Sequence, residues 1–252
     1  MASQLFSNYS GWCVHSGSSS PLTDQQRISD GRYVLLSSRQ SEYCLFTFDP
    51  STKRFTEFAT ALPLPRSDEW ILSRPIVDAK CEVVHFLARK PDSDPIQVRL
   101  YSIDLSNGDL VVPDEIHTLP KRYYLRSRAY TLLKDHRVLV SGASERLGPY
   151  SNFYPRTDVL AVEPASAFRA CDPPTPTSSG SIESVSEYSW RLIHLPKLNH
   201  PRMGHISASL NDGRVLLLGG RTTGSQPLDT AEIWDADSNS FQLLQMQSSH
   251  DD

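Results

Sequence analysis

The sequence predicts an all-β protein that is built from repeated units of four short strands, and three observations support this prediction. The stretch "FDPSTKRF" at residues 48–55 recurs as "WDADSNSF" at residues 234–241, with Asp after the first aromatic residue and a second aromatic residue seven positions on. The stretch "SDGRYVLLSS" at residues 29–38 recurs as "NDGRVLLLGG" at residues 211–220. The chain is also rich in turn residues, with 18 prolines and 12 glycines among 252 residues. Short β-forming runs between such turns are typical of all-β proteins.

Two further stretches of the chain match the pattern of this turn and the β-forming run after it. They are "KDHRVLVSGA" at residues 134–143 and the more diverged "DAKCEVVHFLA" at residues 78–88. If Arg32, Glu82, Arg137 and Arg214 are taken as equivalent, the units repeat with steps of 50, 55 and 77 residues. Asp-Gly favours a hairpin turn because it adopts positive φ angles readily.

The long last step has a visible cause in the third unit. After "DVLAVEP" the pattern is interrupted by "ASAFRACDPPTPTSSGSIESVSE", in which Pro, Ser and Thr dominate. Such a segment buries too little apolar surface to offset its ordering entropy, which predicts a mobile surface insert at residues 165–187. Without about 21 of these residues the step is close to the ~50-residue period of propeller blades.

The last unit shows the four expected strands most clearly, in "HISASL", "RVLLLGG", "TAEIWDA" and "SFQLLQ". In the second unit, "YSIDLSNGDLVV" places Ile103 and Leu110 in the two aromatic positions. The predicted organisation is an N-terminal extension at residues 1–28, units at approximately residues 29–63, 70–120, 126–196 and 199–247, and a tail at residues 248–252.

These motifs resemble the Kelch family of β-propellers. "PRMGHISASLNDGRVLLLGG" is similar to the family pattern, and Trp234 and Phe241 take its paired aromatic places. The resemblance implies that the Gly219-Gly220 doublet lets strands pack closely and that the aromatic pair fills space between blades. It covers roughly residues 29–247, although the first three units have other residues in place of the Gly-Gly doublet.

The blade count leaves several architectures open. Kelch propellers usually close with six or seven blades, whereas the sequence shows four, and "GWCVHSG" in the extension could add a closing strand. Propellers of four or five blades exist. The expected fold is therefore a Kelch-like β-propeller with four recognisable blades, one with five, or a partial, open propeller.

The candidate binding residues lie in the loops, because loops of a propeller form its two faces. One set enters each new unit after a Leu-Pro phrase, and these positions would converge on one mouth of a closed ring. The other set lies between the second and third strands. The candidates are Arg66, Asp68, Glu69, Trp70, Tyr123, Tyr124, Arg126, Arg128, Tyr150, Tyr154, His200, Arg202, His205 and Arg221.

Each set also has a purely structural interpretation. Arg202 and His205 stand at ordinary Kelch positions, whose side chains bridge neighbouring blades according to the resemblance. The aromatic residues of the loop at residues 144–156 could pack down on their own blade. Arg, His, Tyr and carboxylate side chains at a mouth could instead bind an acidic peptide, a carboxylate or a phosphate.

Composition argues against nucleic-acid binding and against membrane association. A net charge of -4 gives no basic face for nucleic acid or membrane surfaces, and the apolar runs are far below the roughly 20 residues of a membrane span. No secretory signal opens the chain, so a cytoplasmic location is expected. The four cysteines, Cys13, Cys44, Cys81 and Cys171, have no metal-binding spacing and suit reduced thiols.

The sequence favours a non-enzymatic scaffold that presents one loop face to a protein partner. The alternative is a metal-independent enzyme or binder that uses the channel mouth for a small-molecule ligand. No catalytic motif, metal-ligand motif or cofactor fingerprint is present, so no cofactor is expected. A homodimer through open propeller edges is a further expectation.

Overall fold

A computed structural model of the chain describes an all-β protein. The described residues are 13–14, 26–39, 42–57, 64–90, 93–112, 115–119, 129–142, 144–146, 153–165, 189–223 and 226–245. They contain no α-helix, and hence none that could span a bilayer. The predicted fold class is confirmed at the level of an all-β fold built from several antiparallel sheets.

The first half of the chain forms sheets 1 and 2. Sheet 1 consists of β1 (Cys13–Val14), β2 (Tyr33–Arg39), β3 (Glu42–Asp49) and β4 (Arg54–Glu57), paired in chain order. Sheet 2 contains β5 (Ile71–Leu72), β6 (Ile76–Asp78), β7 (Val83–Arg89), β8 (Ile96–Asp104), β9 (Leu110–Val111) and β10 (His117–Leu119). Both β5 and β6 pair with β7, so the first strand of this sheet is interrupted.

The second half forms sheets 3 and 4. Sheet 3 consists of β11 (Ala129–Leu132), β12 (Val138–Ser141), β15 (Val159–Glu163) and β16 (Arg191–Leu195). The hairpin β13 (Ser144–Arg146) and β14 (Phe153–Pro155) lies between β12 and β15 in the chain. Sheet 4 consists of β17 (Ile206–Ser209), β18 (Val215–Leu218), β19 (Thr230–Asp235) and β20 (Ser240–Gln245).

The chain divides into two compact units. Unit 1 contains sheet 1 and most of sheet 2, and unit 2 contains sheets 3 and 4. The predicted extension supplies β1, because Cys13 and Val14 pair with β2. All but one residue of the predicted insert at 165–187 lie outside the described residues; the exception, Ala165, is buried.

The Asp-x-Arg turns share one geometry. In the turn before β18, the Gly213 amide donates to the Leu210 carbonyl oxygen at 2.9 Å, and the Leu210 amide donates to the Arg214 carbonyl oxygen at 2.7 Å. The Asp212 carboxylate accepts the Arg214 backbone amide at 3.0 Å and its Nε at 2.8 Å. The turns at Asp30 and Asp135 contain the same side-chain and backbone bonds.

The alignment of the second unit on Glu82 was wrong by one residue. Gly31, His136 and Gly213 each have positive φ immediately before the Arg, and Glu82 has a φ of 54°. Glu82 is therefore equivalent to the turn glycine, and Val83 stands where the other turns have Arg. The sequence suggested the wrong register because this turn lacks both the Asp and the Arg.

The recurring aromatic pairs lie directly opposite each other across hairpins. Trp234 pairs with Phe241, and Phe48 pairs with Phe55 with ring centroids 4.7 Å apart. Ile103 pairs with Leu110 in the same way. The Asp that follows the first member accepts the backbone amide two residues later, as for Asp49, Asp104 and Asp235. The side-chain hydroxyls of Ser51 and Thr52 lower the pKa of Asp49 to about 2.

Apolar faces of neighbouring sheets pack together inside each unit. In unit 1, Val34 and Leu45 of sheet 1 share a buried cluster with Val84, Phe86 and Ile103 of sheet 2. In unit 2, the cluster of sheets 3 and 4 comprises Leu133, Leu139, Val159, Leu198, Val215, Leu217 and Trp234. Alternation of side chains along each strand gives every sheet one face toward its neighbour.

One cysteine differs from the expectation of four reduced thiols. Cys81 forms a disulfide, and its partner lies outside the residues whose side chains are described. Cys44 is not in a disulfide. The spacing of cysteines along the chain does not report their distance in space, which is why the sequence missed this bond. Disulfides persist mainly in oxidising compartments, so this one counts against the cytoplasmic expectation.

The Gly219-Gly220 doublet generates a testable prediction. A Cβ on Gly220 would lie 2.9 Å from the Met203 carbonyl oxygen and 3.0 Å from His205 Cβ, whereas a Cβ on Gly213 would meet only the flexible Lys134 side chain. Both glycines have φ near +90°. Gly213→Ala should therefore cost about 1–2 kcal/mol of unfolding free energy for its conformation alone, and Gly220→Ala clearly more. Urea titration of the two variants measures the difference, and equal losses would contradict the close approach.

Candidate functional site

The candidate loops of sheet 4 meet at one end of the sheet. Ile206 at the start of β17 pairs with Leu218 at the end of β18, so the segment before β17 and the loop after β18 leave the sheet side by side. Met203 and Arg221 exchange two backbone hydrogen bonds, of 3.0 and 2.9 Å, which join the two segments. We call this part of sheet 4, residues 199–205, 219–223 and 226–230, the loop end.

A buried ion pair holds the loop end together. Arg202 has no exposed surface, and its Nη2 donates to Glu232 Oε1 at 2.9 Å. Its Nη1 donates to the carbonyl oxygens of Gly219 at 2.8 Å and Thr230 at 3.0 Å. The guanidinium therefore links the loop that follows β18 to β19, and it presents no donor to a ligand at the surface.

Glu232 is the acceptor on which this network depends. Besides Arg202, it accepts the backbone amide of Asn199 at 2.7 Å and that of His200 at 3.0 Å, together with the Asn199 side-chain amide. Sequence analysis did not single out Glu232. The available signal was a carboxylate inside the apolar run "TAEIWDA", where the residue two positions earlier, Thr230, is also buried.

His205 joins sheets 3 and 4. Its ring is almost completely buried, and Nε2 shares a 2.8 Å hydrogen bond with the hydroxyl of Ser141 at the end of β12. Burial and the nearby Arg202 guanidinium lower the pKa of His205 to about 4. The imidazole is thus neutral at pH 7 and serves as a polar bridge between neighbouring sheets.

Three candidates of unit 2 reach the surface or lie close to it. Arg221 is exposed on the loop end, and Tyr154 on β14 is 36% exposed. His200 is half-buried, with Nδ1 3.4 Å from the Thr230 hydroxyl. Because His205 contacts Ser141, the end of sheet 3 that leads into the β13–β14 hairpin lies next to the loop end. The structure therefore brings these three residues to one end of unit 2.

The candidates of unit 1 divide into three surface residues and one core residue. Arg66 donates to Asp68 through Nε at 3.1 Å and Nη2 at 3.2 Å, and Glu69 beside them is exposed. The hydrogen bond from Arg66 lowers the pKa of Asp68. Trp70 belongs instead to the buried cluster of unit 1, where the Arg99 guanidinium lies 5.4 Å from its ring centroid.

Five of the candidates lie outside the described residues. These are Tyr123, Tyr124, Arg126, Arg128 and Tyr150. The structure makes no statement about their positions, so they remain predictions from the sequence.

A cavity of about 420 Å³ opens at the other end of sheet 4, by the Asp-x-Arg turns. It is lined by Leu133, Lys134, Asp135, Asp212, Gly213, Arg214, Trp234, Asp235, Ala236 and Asp237. Arg214 contacts Asp212 at 2.7 Å, and the four lining aspartates (Asp135, Asp212, Asp235 and Asp237) outnumber the two lining cations, Lys134 and Arg214. Sequence analysis did not predict this cavity.

Comparison with known proteins leaves the family open. No protein-family model matches the chain, and no curated protein sequence matches it. Among solved structures, it is similar to one described as a novel fungal alcohol oxidase with catalytic diversity among the AA5 family, in complex with copper. That match has 12% identity, 88% coverage of this chain, 42% coverage of that chain and a TM-score of 0.47.

A second similar structure is described as YjhT. This match has 13% identity, 80% coverage of this chain, 52% coverage of that chain and a TM-score of 0.49. The chain thus spans about half the length of these two structures. Similarity at this level assigns no activity to the chain.

The buried ion pair predicts a large stability difference between two arginines. Arg202→Met leaves the Glu232 carboxylate buried without its cation, which should cost about 3–5 kcal/mol of unfolding free energy. Arg66→Met is the matched control, because Arg66 pairs with Asp68 at the exposed surface and should change stability little. Chemical denaturation of both variants measures the difference, and a small loss for Arg202→Met would contradict the role of the pair.

The lowered pKa of His205 predicts a pH dependence of stability. The unfolded imidazole binds a proton below pH 6.5, whereas the folded one does so only below about pH 4. Stability is therefore lost as pH falls from 6.5 toward 4, by about 2–3 kcal/mol at pH 4.5 for this residue. His205→Gln should remove that part of the loss.

The measurement is the unfolding free energy at pH 7.5 and pH 4.5, for the parent chain and the variant. His194→Gln, at an exposed position of β16, is the control and should leave the pH dependence unchanged. An equally steep pH dependence in His205→Gln and the parent would show that the histidine is not held neutral.

Proposed function

We propose that the chain is a Kelch-like β-propeller, or part of one, that acts as a non-enzymatic binding scaffold. The repeated four-stranded meanders, the shared Asp-x-Arg turns and the sheet-on-sheet packing within each unit support this architecture. In this proposal the meanders are the blades, and the loops at one end contact a protein partner. The scaffold function needs no cofactor.

The observation that carries the proposal is the loop end of unit 2. Arg221 is exposed there on a base of backbone hydrogen bonds and buried polar contacts, and Tyr154 is exposed on the β13–β14 hairpin at the same end of unit 2. Surface side chains on loops that a scaffold holds in place are typical of binding sites. Tyr and Arg are also the residue types most often found at energetically important contacts between proteins.

The chemistry of this end favours a carboxylate-bearing segment as the partner's contribution. The Arg221 guanidinium can form two parallel hydrogen bonds to a carboxylate, and Tyr154 offers an exposed aromatic surface at the same end of unit 2. His200 adds a polar ring nearby. We therefore propose an acidic peptide segment with an apolar or aromatic residue as the ligand.

A small-molecule binder or enzyme without metal is the alternative. The cavity by the Asp-x-Arg turns supports it, because its volume falls within the range of ligand sites. The scaffold is favoured over this alternative because Arg221 is exposed at the loop end, whereas Arg214, the arginine that lines the cavity, already contacts Asp212. The residues that the sequence predicted for a small-molecule site, such as His200, lie at the loop end, which is the opposite end of sheet 4 from this cavity.

Selection of acidic peptides against the purified chain tests the proposal. Binding of a selected peptide, followed by fluorescence anisotropy, should weaken at least tenfold in Arg221→Ala, which loses a charge-assisted hydrogen bond. Arg214→Ala is the matched control, because Arg214 lies at the opposite end of the same strand and should leave affinity unchanged.

Two results would contradict the scaffold proposal. One is that no acidic peptide is selected. The other is that selected peptides bind Arg221→Ala as tightly as the parent but lose affinity for Arg214→Ala, which would move the site to the cavity.

A further inference from the structure

The two faces of sheet 4 differ in how well they are covered. Val215, Leu217 and Trp234 lie on the face toward sheet 3 and are buried. The pairing register places Ile206 opposite Leu218, Leu218 opposite Ala231, and Ala231 opposite Leu244, all on the other face. We call this second face the outer face; its larger side chains are Ile206, Leu216, Leu218, Ile233 and Leu244.

The outer face is apolar and partly exposed. Ile206 is 68% exposed and Leu218 is 37% exposed, while Leu216, Ile233 and Leu244 are half-buried. Within residues 206–209, 215–218, 231–234 and 241–244, Gln242 on the edge strand β20 is the one polar side chain of this face. Contiguous exposed apolar side chains on a sheet mark a surface that packs against another protein surface.

The equivalent face of sheet 3 packs against the sheet that follows it in the chain. Leu139 lies two residues after Arg137, as Leu216 lies two residues after Arg214, and Leu139 is completely buried against sheet 4. In unit 1, Val34 lies two residues after Arg32 and packs in the same way on sheet 2. In both units, the sheet face that carries the residue two positions after the Arg therefore packs against the following sheet.

The face of the following sheet in this contact carries a recurring set of apolar residues. In sheet 4 these residues are Val215 and Leu217, one and three residues after the Arg, and the Trp234–Phe241 pair. Sheet 1 carries the same set, with Tyr33 and Leu35 one and three residues after Arg32, and the Phe48–Phe55 pair. Tyr33 and Leu35 are only half-buried.

We propose that the outer face of sheet 4 docks onto the Tyr33–Leu35 face of sheet 1 in a second copy of this chain. The contact repeats the stacking order already present in each unit, and it joins two different faces, so it is heterologous. The inference rests on the blade architecture proposed above, but it does not depend on peptide binding.

The size of the face sets the strength of the association. Four strands about 4.8 Å apart, with four paired residues each, span roughly 19 Å by 13 Å. This footprint is smaller than the ~800 Å² per partner that standard interfaces bury. The association is therefore weak and depends on concentration.

Light scattering across a range of protein concentrations tests the proposal. The parent chain should exceed its monomer mass of 28.3 kDa as concentration rises. Ile206→Glu and Leu35→Glu should each remain monomeric, because each places a charge in the interface. Ile116→Glu is the control, because Ile116 is 42% exposed but lies outside both faces.

Mixing the two monomeric variants gives the sharpest readout. Each retains one intact face, so an equimolar mixture should form a heterodimer that does not grow further. Circular dichroism checks that each variant is folded, and Tyr33→Lys replaces Leu35→Glu if that variant does not fold.

Two outcomes would overturn the inference. A parent chain that stays monomeric at its highest soluble concentration would show that the face binds no second copy. A Leu35→Glu variant that still associates while Ile206→Glu does not would show that two outer faces pair with each other. Peptide affinity is measured separately, so loss of self-association leaves the scaffold proposal standing.

Discussion

Face-to-face packing of apolar sheet surfaces is the interaction on which the rest of this structure depends. A meander of four short strands cannot bury its apolar face by itself, and it is stabilised when a neighbouring sheet covers that face. Leu139 of sheet 3 and Leu217 of sheet 4 show this covering in unit 2, and Val34 and Phe86 show it in unit 1. Burial of these side chains removes apolar surface from water, which is the main favourable term in folding.

The same packing dictates how polar groups are treated. A polar side chain enclosed between sheets is stabilised by partners inside, because leaving a hydrogen-bonding group unpaired away from water is costly. Arg202 is paired through its two Nη atoms with Glu232, Thr230 and Gly219, and His205 is paired through Nε2 with Ser141, whereas Arg202 Nε and His205 Nδ1 have no partner among the described residues. These contacts fix the backbone of the loop end. The surface side chains above it, such as Arg221, therefore project from a framework that does not have to be ordered on binding.

Repetition also explains why the outer face of sheet 4 is the surface proposed for association. The face of sheet 3 that begins two residues after its Arg is covered by sheet 4, whereas the equivalent face of sheet 4 exposes Ile206 and Leu218. The repeat supplies a complementary face by the same sequence pattern that builds the interior contacts. An apolar surface of this kind follows from the architecture itself and needs no specialised motif.

The sequence by itself determined the local elements, because these depend on short-range patterns. The Asp-x-Arg turns, the β-forming runs and the paired positions Trp234 and Phe241 follow from neighbouring residues, and the all-β class follows from them. The sequence failed where the local signal was weak. The turn at Glu82 lacks both marker residues, so its register was assigned one position too early.

Only the tertiary structure decided which of the candidate side chains are buried. Arg202 and Arg221 are both arginines beside a loop, yet one is enclosed by β19 and the other is exposed. Their difference depends on Glu232, which is 30 residues from Arg202 along the chain. The disulfide of Cys81 and the exposure of Ile206 likewise depend on how distant segments of the chain come together. A pattern of neighbouring residues does not encode such contacts.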